Sequence, residues 1–329
     1  GDAPGIHLHA TTDARDDALA DSRSVSGVDT AVLKGRKERS PLARGDHDPV
    51  EDADTDAEEP DVVVTIDGEP ASEWFDRMCD SKGLPFSTAL AIARERNDQD
   101  LDDLPPIGAE DPAVAQWDEV PRDDDGEPAV DVIHATHGFA HVPSVRNGTN
   151  LIFDERPSFK TDLGHGRVRE AVSAFLSAAE SPVATFEQFV SRAVSDDETR
   201  NEHARHGYIS DALDYEPDRE WYLEAEGAHT LAPALTRAIY YALRSGGGEE
   251  TEPDANGRYS ATVPHEPPRL DGDAGDGDGW NRTYVSVVLD DEFTVRVVRN
   301  TPSMAGARSV VGLDAHPDVV LWQQNVHPD

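Results

Sequence analysis

The stretch RNGTNLIFDERPSF, residues 146–159, sets the fold. An apolar run, Leu151-Ile152-Phe153, leads into two acids, Asp154 and Glu155, and Pro157 then ends the segment. A strand covered on both faces of a parallel sheet reads as a continuous apolar run rather than an alternating one. Such a strand presents the residues after it at its C-terminal end, the edge at which open α/β sheets bind ligands. AVDVIHATHGF (129–139) shares this pattern, and ARSVVGLDAHP carries a last strand, returning at 309–315 and ending at Asp314. The segment VSVVLDDEF (285–293) is an internal control, because it too is an apolar run followed by acids. It continues directly into TVRVV and reads as a hairpin with Asp290-Asp291 in the turn.

Between these strands the periodicity becomes helical. RVREAVSAFLSAAE stops before Pro182. ATFEQFVSRAV carries Thr185 as N-cap and Gln188 at the capping-box position, and LAPALTRAIYYALRSGGG ends in glycines. Upstream, GIHLHATT and GVDTAVLKGRKERSPL read as short strands or strand-to-loop passages, and residues 45–61 as a solvated acidic loop. DVVVTIDG reads as a strand. Ser72 reads as the N-cap of EWFDRMCDSK, with Gly83 past its end, and Ser87 opens the helix STALAIARERND. Residues 98–129 look irregular, and a helix is expected after Asp314. Strands, then helices, then strands again predict an α/β parallel-sheet domain interrupted by insertions.

The charge is extreme: 67 Asp+Glu against 29 Lys+Arg, a net of -38 over 329 residues, with only four lysines. Self-repulsion on that scale destabilises a compact chain at low salt and is screened in molar salt, where the Debye length is about 3 Å. The composition therefore points to a salt-saturated, haloarchaeal cytoplasm, and the acidity says little about partners. One cysteine, Cys79, excludes an internal disulfide and any multi-cysteine metal site. No apolar run reaches the length of a membrane span, and no signal peptide is read. The first residue is Gly1, and the only methionines are Met78 and Met304, so a segment of a longer product is expected.

The passage DVIHATHGFAHVPSVRNGTNLIFDE resembles superfamily 2 DNA helicases of the XPD/DinG-like (DEAD/DEAH box) type. There a strand ending in a small-residue/His motif, here Ala135-Thr136-His137, precedes the box by a short loop. The box reads Asp154-Glu155-Arg156-Pro157, so its third and fourth positions depart from Ala-His. VVGLDAHP (310–317) is similar to motif III, with His316 where Thr is usual. The resemblance implies a RecA-like domain with an acidic, irregular insert and a helical insertion. It divides the chain into a core start (1–44), an insert with two short helices (45–128), core strands with the box (129–166), a helical insertion with an acidic loop (167–282), and a hairpin with the return strand (283–329). It also implies ATP and Mg²⁺ as cofactors. Asp154 would hold the metal, Glu155 would position the hydrolytic water, and Asp314, His316 and His137 would line the nucleotide. The four-cysteine iron–sulfur cluster of the family is not expected with Cys79 alone. DNA is the implied partner, together with the missing helicase halves or a longer parent chain; no membrane is expected.

No G-x-x-x-x-G-K-[ST] occurs in the sequence, so the cradle for ATP phosphates is missing. That leaves two alternatives beside an ATPase segment: a non-catalytic plasmid- or virus-encoded interaction protein on a degenerate scaffold, and a metal-dependent nuclease using Asp154, Glu155 and Asp314. The nuclease requires those carboxylates to converge and a lysine nearby, the nearest in sequence being Lys160. Lys34, Arg36, Lys37 and Arg39, with Arg23 and Arg44, form the one basic cluster, a candidate for phosphate contact or a face balancing nearby acids. The histidines read as structural. His7 and His9 alternate on one strand, while His134 and His137 fall on opposite faces of theirs and cannot share an ion without a bend. His203 and His206, with Glu198 and Glu202, would make half of a carboxylate-bridged site. DGDAGDGDG (271–279) resembles a calcium loop but lacks the bidentate Glu.

Overall fold

A computed structural model describes residues 5–50, 60–96, 111–124, 128–194, 209, 211–244, 254, 257–270, 282–314, 322 and 326. The expectations at Glu198, Glu202, His203 and His206, at His316, at the helix after Asp314 and at the Asp-Gly stretch 271–279 lie outside these residues. The chain divides into two compact units. One holds residues 1–157 with 270–273 and 304–329; the other holds 158–269 with 274–303.

The first unit is α/β. Its sheet contains β1 (Gly5–His9), β2 (Thr30–Val32), β5 (Val132–Thr136), β6 (Asn150–Asp154) and β10 (Ser309–Leu313), in the order β10-β6-β1-β5-β2. Every pairing is parallel. All strands therefore end at one edge. β1 is the middle strand, with Ile6 opposite Ile133 on one side and Leu151 on the other, and Leu8 opposite Ala135 and Phe153. These six side chains are fully buried. The strands of the three segments, Val132–Thr136, Asn150–Asp154 and Ser309–Leu313, thus lie in one parallel sheet, which carries the α/β expectation at that level.

The helix Thr12–Ser24 follows β1 directly. The sequence gives no apolar signal for it, because only Arg15 and Leu19 are buried among its residues. It is fixed at its start by the Thr11 hydroxyl, which accepts from the Ala14 amide. It is fixed from inside by the fully buried Arg15, whose guanidinium donates to both carboxylate oxygens of Glu38 at 2.9 and 2.7 Å.

DVVVTIDG forms less strand than its apolar content suggests. Only β3 (Thr65–Ile66) pairs with β4 (Glu69–Pro70), around Asp67 and Gly68, both at positive φ as a two-residue hairpin turn requires. Ser72 is not an N-cap. The helix begins at Ala71 behind Pro70, and the Ser72 hydroxyl and amide both donate to Asp48, so the Asp48 carboxylate, not a serine oxygen, accepts from this first-turn amide. The helix then widens into a π-turn over Arg77–Ser81. Cys79 lies there, its thiol pushed up to about 12 by burial. The helix read from Ser87 starts one residue earlier and spans Phe86–Arg96.

The second unit is built from β7 (Tyr259–His265), β8 (Thr283–Leu289) and β9 (Val295–Pro302), an antiparallel sheet in the order β7-β8-β9. Three helices, His165–Ala178, Phe186–Val194 and Ala232–Arg244, bury Val172, Phe189, Leu235 and Ile239 with Val263, Val285, Val287 and Val298 of that sheet. The hairpin read from Asp290-Asp291 is present, with Asp290 accepting from the Glu292 and Thr294 amides. It belongs with the helices rather than with the return strand, because β8 alternates buried and half-buried positions and its buried face meets them. Gly227 sits where a helix-to-helix turn needs φ +75°, and a Cβ there would meet the Glu170 carbonyl at 3.3 Å.

Phe153→Ala removes a fully buried ring from β6, beside the middle strand of the first unit's sheet. It should lower unfolding stability by about 3–5 kcal/mol, read by denaturant unfolding in molar KCl. In the second unit His265 is 3 % exposed, and burial, with Arg237 adding to it, lowers its pKa to about 4. The folded state keeps this ring neutral, while the unfolded chain protonates at about 6.5. The stability this contributes is complete above the unfolded value and is lost as pH falls from there toward about 4. His265→Gln should flatten the melting temperature against pH in that window.

Candidate functional site

Because period-2 alternation places His7 and His9 on the face of β1 opposite Ile6 and Leu8, both rings share one side of the sheet. The β1–β5 register puts His7 beside His134. The three rings cluster, with centroids 4.5 Å apart for His7 and His9, 5.4 Å for His9 and His134, and 5.7 Å for His7 and His134. Each offers a ring nitrogen within 4.8 Å of the others. His9 and His134 are buried and His7 is half-buried.

One line of hydrogen bonds runs through the cluster. The Ser22 hydroxyl, from the helix Thr12–Ser24, lies 3.0 Å from His134 Nε2; His134 Nδ1 lies 3.1 Å from His9 Nε2; His9 Nδ1 lies 3.2 Å from Asp154 Oδ2. A single assignment satisfies every link with neutral rings: Ser22 donates to His134, His134 to His9, and His9 to the Asp154 carboxylate. Burial favours that state. It lowers the pKa of His7 and of His9 and takes His134 to about 4, with neighbouring imidazoles adding to the effect on His9 and His134. Asp154 opposes the shift at His7 and His9. His7 Nε2 is buried and has no hydrogen-bond partner.

The acid pair sits at the sheet edge. The Asp154 side chain is 46 % exposed. Glu155 is exposed and takes φ 67°, and its amide donates to the Leu313 carbonyl at 2.9 Å, so the chain turns off the sheet there. β6 and β10 pair with Asp154 opposite Leu313, which brings Asp314 to the same edge. His137 lies beyond β5, and its Nε2–H donates to the Asp154 carbonyl at 3.1 Å across the end of β1. Its ring touches Phe153 rather than the histidine cluster, in keeping with strand alternation. His137 therefore positions Asp154 through its backbone.

The geometry bears on two further sequence readings. Among the described residues, the one group of three or more His, Cys, Asp or Glu side chains within metal-bridging reach is His7, His9 and His134. Asp154, Glu155 and Asp314 share an edge without converging, and Lys160 bridges to Arg299 in the second unit. The basic cluster is largely committed internally. Arg36 and Lys37 hold Asp76, Arg36 also holds Asp80, Arg39 pairs with Glu119 and Arg44 with Asp46. Lys34 makes a backbone exchange with Gln116, amide to Oε1 and carbonyl from Nε2.

The histidine cluster is only half legible in the sequence. His7 and His9 at i, i+2 announce one face of a strand, but the partner of His9 lies 125 residues on, and only the pairing of β1 with β5 brings it in. Among the described residues no helix is long and apolar enough to cross a membrane. Searches of family models, of curated proteins and of solved structures each give no match to this chain.

Proposed function

We propose that this chain is the nucleotide-handling portion of a helicase-like, DNA-acting protein, with the first unit as a RecA-like sheet domain and the second as its helical insertion. One observation carries the reading. β6 and β10 are hydrogen-bonded neighbours, so the acid pair at 154–155 and Asp314 leave the sheet side by side at its C-terminal edge. Nothing local to either segment requires that, since they lie far apart in the chain; the helicase resemblance does. The placement of the mainly helical unit between β6 and β10 in the chain agrees with it.

The residues present fit part of such a site. A half-exposed carboxylate at a parallel sheet edge is the single hard oxygen ligand that Mg²⁺ takes while keeping its waters. Bound Mg²⁺ would offset the charge of the nucleotide phosphates. Asp154 would hold that ion through the oxygen not engaged by His9. Glu155, exposed next to it, would orient a water. His137 would keep the Asp154 backbone in register through its carbonyl. The Lys and amide cradle for the phosphates would come from outside this sequence.

A second reading is favoured by His9. The buried imidazole already occupies one oxygen of Asp154, in the position where the box acid would face a nucleotide. On that reading the chain is a non-catalytic scaffold with an inherited edge.

Calorimetry of Mg·ATP in about 3 M KCl, where the Debye length is shortest, separates the two. Binding that falls at least tenfold in Asp154→Ala, with unchanged circular dichroism, is the expected result. A folded chain that binds no nucleotide, or binds it equally with and without the carboxylate, overturns the nucleotide site and leaves the scaffold.

A further inference from the structure

The nucleotide reading leaves the histidine cluster unused, and the cluster has the features of a ligand set. His9 Nε2 and His134 Nδ1 are 3.1 Å apart. Two imidazole nitrogens at about 2.0–2.1 Å from one tetrahedral ion lie about 3.3–3.4 Å apart, so this pair needs to open by only a few tenths of an ångström. The third ring supplies what the other two lack. His7 Nε2 is buried with no hydrogen-bond partner, an unfavourable state for a polar atom unless something accepts its lone pair. The far nitrogens are already anchored: His9 Nδ1 by the Asp154 carboxylate at 3.2 Å, and His134 Nε2 by the Ser22 hydroxyl at 3.0 Å. Carboxylate and hydroxyl partners behind metal-bound imidazoles fix the tautomer and ring orientation.

We propose that His7 Nε2, His9 Nε2 and His134 Nδ1 form a three-histidine site for a divalent transition ion of the zinc, cobalt or nickel class, with the fourth position left for water or substrate. The proton balance closes inside the protein. His134 moves its proton from Nδ1 to Nε2, where it donates to Ser22, and the serine hydroxyl becomes the acceptor. His9 keeps its Nδ1 proton on Asp154, and His7 carries its proton on Nδ1. All three ligands stay neutral, and binding releases no proton. Imidazole donors discriminate against Mg²⁺ and Ca²⁺, which take oxygen ligands. The site therefore differs in ion class from one that Asp154 would make with a nucleotide. Asp154 acts here as a positioning residue through His9.

The experiment is a titration of the chelator-treated full chain with Co²⁺ in about 3 M KCl, which screens the acidic surface. Excess Mg²⁺ is present to occupy surface carboxylates, and no nucleotide is added. One equivalent of Co²⁺ with the intense visible bands of four-coordinate geometry, displaced by Zn²⁺, is the expected result. His7→Ala is the decisive variant, since its Nε2 has no hydrogen bond to lose and the fold should be kept. Its Co²⁺ affinity should fall at least about 100-fold, the loss of one of three ligands, while its far-ultraviolet dichroism and metal-free melting temperature stay unchanged. Asp154→Asn should bind about 10–100-fold more weakly with the same spectrum. Co²⁺ binding that Mg²⁺ abolishes, that shows only weak six-coordinate bands, or that survives in His7→Ala overturns the site, as does a folded wild-type chain that binds none. The nucleotide experiment has a separate readout, so either result stands without the other.

Discussion

The double pairing of β1 is the constraint on which the first unit rests. A strand hydrogen-bonded on both sides, with both faces covered, has no freedom of register. A slip of one residue would put His7 and His9 among Phe153, Ile133 and Ala135 and push Ile6 and Leu8 out to the opposite face. The cost of that exchange is what gives five residues, Gly5–His9, a single alignment. Everything at the edge inherits it. Asp154 meets His9 because β6 is locked to β1, and His134 meets His7 because β5 is locked to the other side.

The two faces of this sheet obey different rules. One is aliphatic and aromatic, held by burial alone. The other carries three neutral imidazoles, a serine and a carboxylate, most of them in one directional line of hydrogen bonds. Polar networks inside proteins are costly when incomplete, and here one buried atom, His7 Nε2, remains outside the line. An arrangement satisfied everywhere except at one lone pair beside its neighbours suits a receptor for an ion better than a structural core.

The sheet is legible in sequence where the signal is local. The runs ending at Thr136, Asp154 and Asp314 are apolar and flanked by turn residues, and each is a parallel strand or its end. The helix Thr12–Ser24 is not legible, because one turn after another is acidic and its hold on the unit is a buried arginine rather than an apolar stripe. Ser72 misleads for a related reason: it lies inside the first turn, and the acceptor for its amide is the carboxylate of Asp48, 24 residues away. The basic cluster looks like an open surface because sequence shows charges, while their partners Asp76, Asp80 and Glu119 arrive only through folding. The histidine site is hidden in the same way: its ligands come from two strands whose adjacency is a property of strand order.

The sheet edge at β6 has one more consequence, which concerns timing. β10 pairs with β6, yet the second unit lies between them in the chain. During synthesis at about 5–20 residues per second, β6 emerges on the order of ten seconds before its partner. Throughout that interval its outer backbone groups face the surroundings unpaired. The second unit is nearly contiguous in the chain, has a core of its own and can condense during the wait. The first unit cannot close its sheet until the ribosome has delivered Ser309–Leu313. In a cell crowded with nascent chains, that open ledge is the stage at which this protein is most exposed to pairing with the wrong strand.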